Sequence, residues 1–154
     1  MTGFLAKLTS RVLTGLAAFC VLAALPLSAG TSMAWTSISF GDSVTMQIPP
    51  GAHHLPGKGI DSIIGTIAGD GFTCDYDLGV YANRLSGIES STEQAFTLSG
   101  RPARLISATG FLGLHVGDIE KTLLGPKMLS FSCVGLQDSV RTMVEKMLRS
   151  VKLN

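Results

Sequence analysis

The stretch GDGFTCDYDLGVY, residues 69–81, contains the clearest structural signal in the chain. Its first three residues, Gly69, Asp70 and Gly71, have the composition of a short hairpin connection, because glycine can adopt positive φ. Apolar and polar residues then alternate, which is typical of a strand with one buried face. The alternate residues expected on the buried face are Phe72, Cys74, Tyr76 and Leu78. The preceding stretch SIIGTIA is predicted to be the other strand of this hairpin.

Further strands are predicted on both sides of the first hairpin. TSISF and SVTMQI precede it, and EQAFTL and ARLISA flank a second turn at residues 99–102; FLGLHV and KMLSFSCVG follow. RLSGIESS is predicted to be an exposed connection. The stretch PPGAHHLPGKG, residues 49–59, combines several prolines and glycines and is predicted to be a loop without a regular element.

The C-terminal part of the chain has a different periodicity. Its apolar residues recur at helical spacing, at Val140, Met143, Val144, Met147, Leu148 and Val151. This pattern predicts an amphipathic helix, which Asp138 or Ser139 can cap. A sheet with alternating faces and one long helix pack best face to face. We therefore expect an α+β fold in which an antiparallel sheet of about six to eight strands packs against the C-terminal helix.

The N-terminus has the layout of a secretory signal peptide. Lys7 and Arg11 precede the apolar run at residues 12–27, which is short for a membrane-spanning helix. The signal peptide is predicted to cover residues 1–34, with cleavage near Gly30 or Ala34, and residues 35–154 are predicted to form a single α+β domain. The protein is therefore expected in the periplasm or outside the cell, meeting the membrane only transiently through its signal peptide.

Charge and cysteine content narrow the possible partners. The chain has 12 Lys and Arg and 11 Asp and Glu, so removing Lys7 and Arg11 leaves ten basic residues against eleven acidic ones. This balance provides no basic surface for nucleic acid. The two cysteines left after cleavage are Cys74 and Cys133. Each lies on the same face of its predicted strand as the apolar side chains. An exported chain favours a disulfide between them, and two buried free cysteines are the alternative.

Three short motifs support a resemblance to a known family. They are MQIPPGA at a strand end, LSGRPARLI at the second hairpin and VEKMLRSVKL in the terminal helix. In these the chain resembles the PsbP-like α/β sandwich group of small extrinsic and exported domains. The resemblance implies a sandwich fold and an exported binding or assembly module, and it implies no catalytic residue.

Few residues are candidates for a functional site. Asp75 and Asp77 lie two apart on a strand, so their side chains project from one face about 7 Å apart. Such a pair could act as general acid and base or hold calcium, and the simplest interpretation is that both face solvent. The predicted contact surface for a protein or small-molecule partner in the cell envelope is either the face with Asp75, Asp77 and Arg84 or the loop containing His53 and His54.

Two classes of function are consistent with the sequence. The first is a small exported non-enzymatic module for binding or assembly. The alternative is a small hydrolase or metal-dependent enzyme using Asp75, Asp77 and a histidine. The sequence lacks G-x-S-x-G, H-E-x-x-H and C-x-x-C, so no catalytic residue, metal or cofactor is predicted. His115 is interpreted as a half-exposed strand residue.

Overall fold

The computed structural model describes residues 34–154. Its elements are β1 (Thr36–Phe40), β2 (Val44–Ile48), β3 (His53–Pro56), β4 (Ile63–Gly69), β5 (Phe72–Gly79), β6 (Thr92–Leu98), β7 (Arg101–Ala108), β8 (Phe111–Thr122), β9 (Gly125–Val134), α1 (Asp138–Arg149) and β10 (Lys152–Leu153). The predicted signal peptide lies outside the described residues except for its last residue, Ala34. Within residues 34–154, no helix has the length and hydropathy needed to cross a membrane.

The strands form two antiparallel sheets. The smaller has the order β1-β2-β10, and the larger has the order β3-β4-β5-β9-β8-β7-β6. Both predicted hairpins are confirmed. In the first, Gly69 pairs with Phe72 across a two-residue turn, where Gly71 adopts a φ of 75°. The second also turns on two residues, since Leu98 pairs with Arg101, so it is shorter than the predicted turn.

One face of the seven-stranded sheet, the inner face, lies against the smaller sheet and the helix. Its central side chains come from β5, β9 and β8, and they include Tyr76, Phe131 and Leu114. From the other layer, β1 and β2 contribute side chains such as Phe40 and Met46, and the helix buries Val144, Met147 and Leu148. The predicted α+β class, with an antiparallel sheet and a C-terminal helix, is confirmed at this level.

The two cysteines of the described chain are directly opposite each other on β5 and β9. Cys74 pairs with Cys133 in the register, and both are fully buried. They form a disulfide, as predicted, across a sequence separation of 59 residues. The bond therefore joins the first predicted hairpin to the last long strand at the centre of the sheet.

The histidine-containing stretch differs from its prediction. Residues His53–Pro56 form β3, an edge strand that pairs with β4 from His53 opposite Ala68 to Pro56 opposite Gly65. The prediction of a loop over the whole of residues 49–59 was therefore wrong at these four positions. An edge strand needs hydrogen bonds on one side only, so its proline can be accommodated at the strand end.

Candidate functional site

The opposite face of the seven-stranded sheet, the outer face, has polar side chains at its centre. Alternation along β5 places Asp75 and Asp77 there, opposite to Cys74 and Tyr76. Asp77 pairs with Ser130 of β9, and Ser130 pairs with His115 of β8. We call Asp77, Ser130 and His115 the polar row. It runs straight across three adjacent strands.

The two aspartates have different surroundings. Asp75 is exposed, and its Oδ1 accepts a hydrogen bond of 2.7 Å from the Thr66 hydroxyl. Asp77 is half-buried, and its Oδ1 is buried with no hydrogen-bond partner among the described residues. Both aspartates lie on the face opposite the core, as the simple interpretation predicts, but Asp77 is only partly exposed.

Burial also changes the acidity of Asp77. It raises the pKa of this carboxyl, because the charged form is less well solvated. Hydrogen bonding by the Ser62 side chain opposes the rise in pKa, and the negative charge of Asp61 adds to it. Ser62 and Asp61 also line a cleft of about 280 Å³ near the C-terminal end of β5. The carboxyl thus lies at the margin of a concave surface.

His115 is more enclosed than its sequence context predicts. Its side chain is 8% exposed, and its Nδ1 is buried without a hydrogen-bond partner among the described residues. Burial lowers the pKa of the imidazole, and the positive charges of Arg104 and Arg84 lower it further, while the Asn83 main chain opposes the shift. The prediction of a half-exposed residue was wrong, because another segment covers this position.

The cover is the connection between β5 and β6, residues 80–91, which we call the covering segment. Leu85 is buried in it with a φ of 52°, and a Cβ on Gly113 would lie only 2.7 Å from the Leu85 Cδ1. Leu85 thus fills a notch that the glycine leaves open. Ile106 and Met128 of the sheet are also buried, outside the main core cluster. The predicted exposed connection RLSGIESS is a connection and is exposed at most of its positions, but Leu85 is buried.

Arg84 is held on the same side of the sheet as the aspartates. Its main-chain carbonyl accepts a hydrogen bond of 2.7 Å from Arg104 Nη2, and its own side chain is exposed. Arg104 lies on β7, three strands away from β5 in the sheet order. At about 4.8 Å per strand, the main chain at Arg104, whose side chain holds Arg84, lies roughly 14 Å from the main chain at Asp77. Arg84 therefore shares the outer face with the aspartates without contacting them.

His53 and His54 point to opposite sides of β3, as predicted for adjacent residues in an extended chain. His53 is exposed, whereas His54 is half-buried with its Nε2 2.8 Å from the Tyr76 hydroxyl. Burial lowers the pKa of His54 and raises the pKa of Tyr76. His53 pairs with Ala68, whose partner is Thr73, so it aligns with neither aspartate. The predicted histidine and aspartate candidates do not form one cluster.

The polar row was only partly predictable. Asp77 was a candidate because of its strand parity, whereas Ser130 and His115 gave no motif. Their alignment depends on the pairing of β5, β9 and β8, which no local pattern specifies. Among residues 34–154, no group of three His, Cys, Asp or Glu side chains is placed to hold a metal ion.

Comparisons with family models, curated proteins and solved structures found no match. The resemblance to the PsbP-like group therefore stays a prediction, and the structure itself defines an α+β protein with two antiparallel sheets and a C-terminal helix.

The lowered histidine pKa values predict a pH-dependent stability. The unfolded chain binds a proton at a pKa of about 6.5, whereas folded His115 binds one only at lower pH. The free energy of unfolding should therefore fall as the pH drops from about 7 to 5. His54 contributes with the same sign, and Asp77 with the opposite sign, since its raised pKa favours the folded state in acid.

Urea unfolding at several pH values tests this expectation. H115Q should reduce the slope of stability against pH between 7 and 5, and H54Q should remove a separate part of it. H53Q is the matched control, because His53 is exposed. An unchanged slope in the H115Q/H54Q variant would show that neither imidazole is responsible.

Proposed function

We propose that the chain is an exported, periplasmic or secreted module that binds a protein or small molecule without catalysis, using the outer face around Asp75 and Asp77. The observation that carries this proposal is the pair of carboxylates that β5 presents on one face, an exposed Asp75 and a half-buried Asp77. Burial removes part of the solvation of the Asp77 carboxylate. A donor-rich partner that contacts the accessible part of this pair offsets that cost on binding.

The charge of the site indicates what the partner presents. Asp75 is exposed, and it lies two residues from Asp77 on the same face, which separates their α-carbons by about 7 Å. Carboxylates accept hydrogen bonds and attract positive charge. We therefore expect the partner to present a cationic or donor-rich group, such as an ammonium or a guanidinium. The half-buried position of Asp77 makes that interaction stronger than one made on open surface.

The order of the polar row supports binding over the alternative hydrolase. In a nucleophilic triad, the histidine lies between the serine and the carboxylate, which orients it. Here Ser130 lies between Asp77 and His115, and these two are separated by two strand spacings, about 10 Å. Asp77 is therefore badly placed to orient His115 as a base.

The proposed location outside the cytoplasm has separate support. A buried disulfide is compatible with an exported protein, since disulfides persist in oxidising compartments. The predicted signal peptide and the PsbP-like resemblance favour the same location and an assembly role.

Charge removal at the outer face provides the test. The D75N/D77N variant is expected to lose at least about tenfold in the amount of partner that the exported protein retains from its own envelope fraction, quantified by mass spectrometry. Its unfolding midpoint should stay the same or rise slightly, because the substitution removes a poorly solvated charge. The matched control is D42N, which removes an exposed carboxylate from the turn between β1 and β2.

Two outcomes would contradict the proposal. Equal retention by D75N/D77N and the unaltered protein would show that the outer face is not the contact surface. Turnover of a substrate that stops in H115A but leaves folding intact would favour the enzyme instead. If the double variant unfolds, the single variants D75N and D77N separate a structural role of Asp77 from a contact made by Asp75.

A further inference from the structure

One end of the seven-stranded sheet exposes a group of large apolar side chains. The described residues include seven exposed large hydrophobic side chains, and five of them belong to the turns and strand ends gathered here. We call this group the apolar end: Ile60, Ile63, Tyr81, Leu123 and Leu124. Leu123 and Ile60 have exposures of 107% and 106%, so neither packs against the protein.

Sheet topology brings these residues together. Leu123 and Leu124 form the tip of the β8–β9 hairpin, where Thr122 pairs with Gly125. A Cβ on Gly125 would lie 3.4 Å from Val80, which precedes Tyr81 at the end of β5. Ile60 and Ile63 line the same cleft as Glu120 and Lys127 of the hairpin. The apolar end therefore collects side chains from three separate turns at the same end of the sheet.

The hairpin holds its two leucines outward in a fixed turn. The Thr122 hydroxyl donates a hydrogen bond of 2.7 Å to the Gly125 carbonyl, and its oxygen accepts one of 3.2 Å from the Leu124 N–H. Below the turn, Lys127 and Glu120 form an ion pair of 2.7 Å. β5 ends where Gly79 pairs with Met128, so the tip projects past its neighbouring strand. These contacts fix the main chain of the turn that carries the two leucines.

We propose that the apolar end inserts into the interfacial region of a phospholipid bilayer with zwitterionic headgroups. The exposed side chains stand on projecting turns, so a protein partner would need a groove shaped to receive them, whereas a bilayer deforms around them. Burying a leucine or isoleucine side chain is favourable by about 1.5–3 kcal/mol. Two or three inserted side chains thus support weak, reversible attachment.

The charges around the apolar end indicate whether the bilayer headgroups are zwitterionic or anionic. The segments that form it contain both signs in balance: Lys58, Lys121 and Lys127 against Asp61, Asp118 and Glu120. A site for anionic lipid or nucleic acid would show an excess of basic residues. Lys121 is exposed beside the tip, and its long side chain can reach a headgroup phosphate while the leucines insert. Attachment should therefore depend little on salt.

Co-sedimentation with phosphatidylcholine vesicles tests this proposal. The protein is recovered in its exported form, and its vesicle-bound fraction is compared with that of L123S/L124S. We expect the double substitution to weaken partitioning at least about tenfold, because two inserted side chains are lost. Raising the salt concentration should change partitioning of the unaltered protein less than twofold. The matched control is V134S, which alters an exposed apolar residue at the other end of β9 and should bind like the unaltered protein.

Equal partitioning of the unaltered protein and L123S/L124S would overturn the proposal, and so would binding that requires anionic lipid. A dimer that light scattering detects only with the leucines present would assign the apolar end to contact between two copies. Circular dichroism should be identical for all variants, since the substituted residues are exposed. The D75N/D77N variant should sediment like the unaltered protein, so this test is independent of the proposed binding function.

Discussion

Replacing Cys74 and Cys133 together by alanine is expected to lower the free energy of unfolding by about 4 kcal/mol. The disulfide closes a loop spanning 59 residues, and in the chain-entropy model a cross-link of this length restricts the unfolded chain by that amount. The same loop contains β6, β7 and β8, so the reduced chain must order most of the larger sheet without this constraint. For a domain of this size, whose total stability is about 5–15 kcal/mol, the loss is severe.

Urea unfolding of C74A/C133A and of the unaltered protein, with and without reductant, measures the effect. Reduction should destabilise the unaltered protein and leave the variant unchanged, and intact mass should rise by about two daltons on reduction. The buried position of the pair implies that reduction at room temperature requires opening of the sheet. A variant as stable as the oxidised protein would show that the bond contributes nothing to the folded state.

The strands that the sequence predicted well are those with one apolar and one polar face. β5 alternates from Phe72 to Leu78, and β9 alternates in residue type from Leu129 to Cys133, so Tyr76 and Phe131 were expected inside and Asp75 outside, as the structure shows. A period of two is a local property and requires no knowledge of the strand partners. Helix α1 was predictable for the same reason, because its apolar spacing is contained within 12 residues.

The division into two sheets could not be predicted in this way. β10 follows the helix and pairs with β2, and this pairing joins Leu153 to Val44. The Ser150 hydroxyl, which receives a hydrogen bond from Gln47 N–H, links segments 103 residues apart. Neither contact has a signature in the residues themselves, since a two-residue strand is too short to show alternation. One sheet was therefore expected where there are two.

The candidate site shows the same limit at the level of side chains. Strand parity identified the aspartates, but burial of Asp77 and His115 depends on the neighbouring loops and the covering segment. That segment requires Leu85 to adopt a positive φ, which is uncommon for a leucine. It also requires Gly113 to lie beneath it on a different strand. The polar residues around Leu85 suggested that it is exposed. It is buried instead, because it packs against Gly113, which is distant in the sequence.

Replacing Phe131 by alanine is expected to lower the free energy of unfolding by about 3–5 kcal/mol. Phe131 is fully buried on the inner face, and its ring centroid lies 5.8 Å from that of Phe40 and 5.9 Å from that of Tyr76. Phe40 belongs to the smaller sheet and Tyr76 to the larger one, so the ring contacts side chains of both layers. Alanine would leave a cavity between the sheets that the flanking strands cannot fill without shifting.

Chemical denaturation of F131A, F131L and V134A separates this packing role from a general effect on β9. F131L should lose less than F131A, because leucine retains part of the volume, and V134A should change stability by no more than about 0.5 kcal/mol, because Val134 is half exposed. The outer face lies on the opposite side of β9, so F131A should still retain its partner under conditions where it is folded. Equal losses in F131A and V134A would mean that the strand, rather than the contact between the sheets, limits stability. A loss that is largest in F131A, smaller in F131L and negligible in V134A would show that packing of the Phe131 ring between the two sheets limits stability.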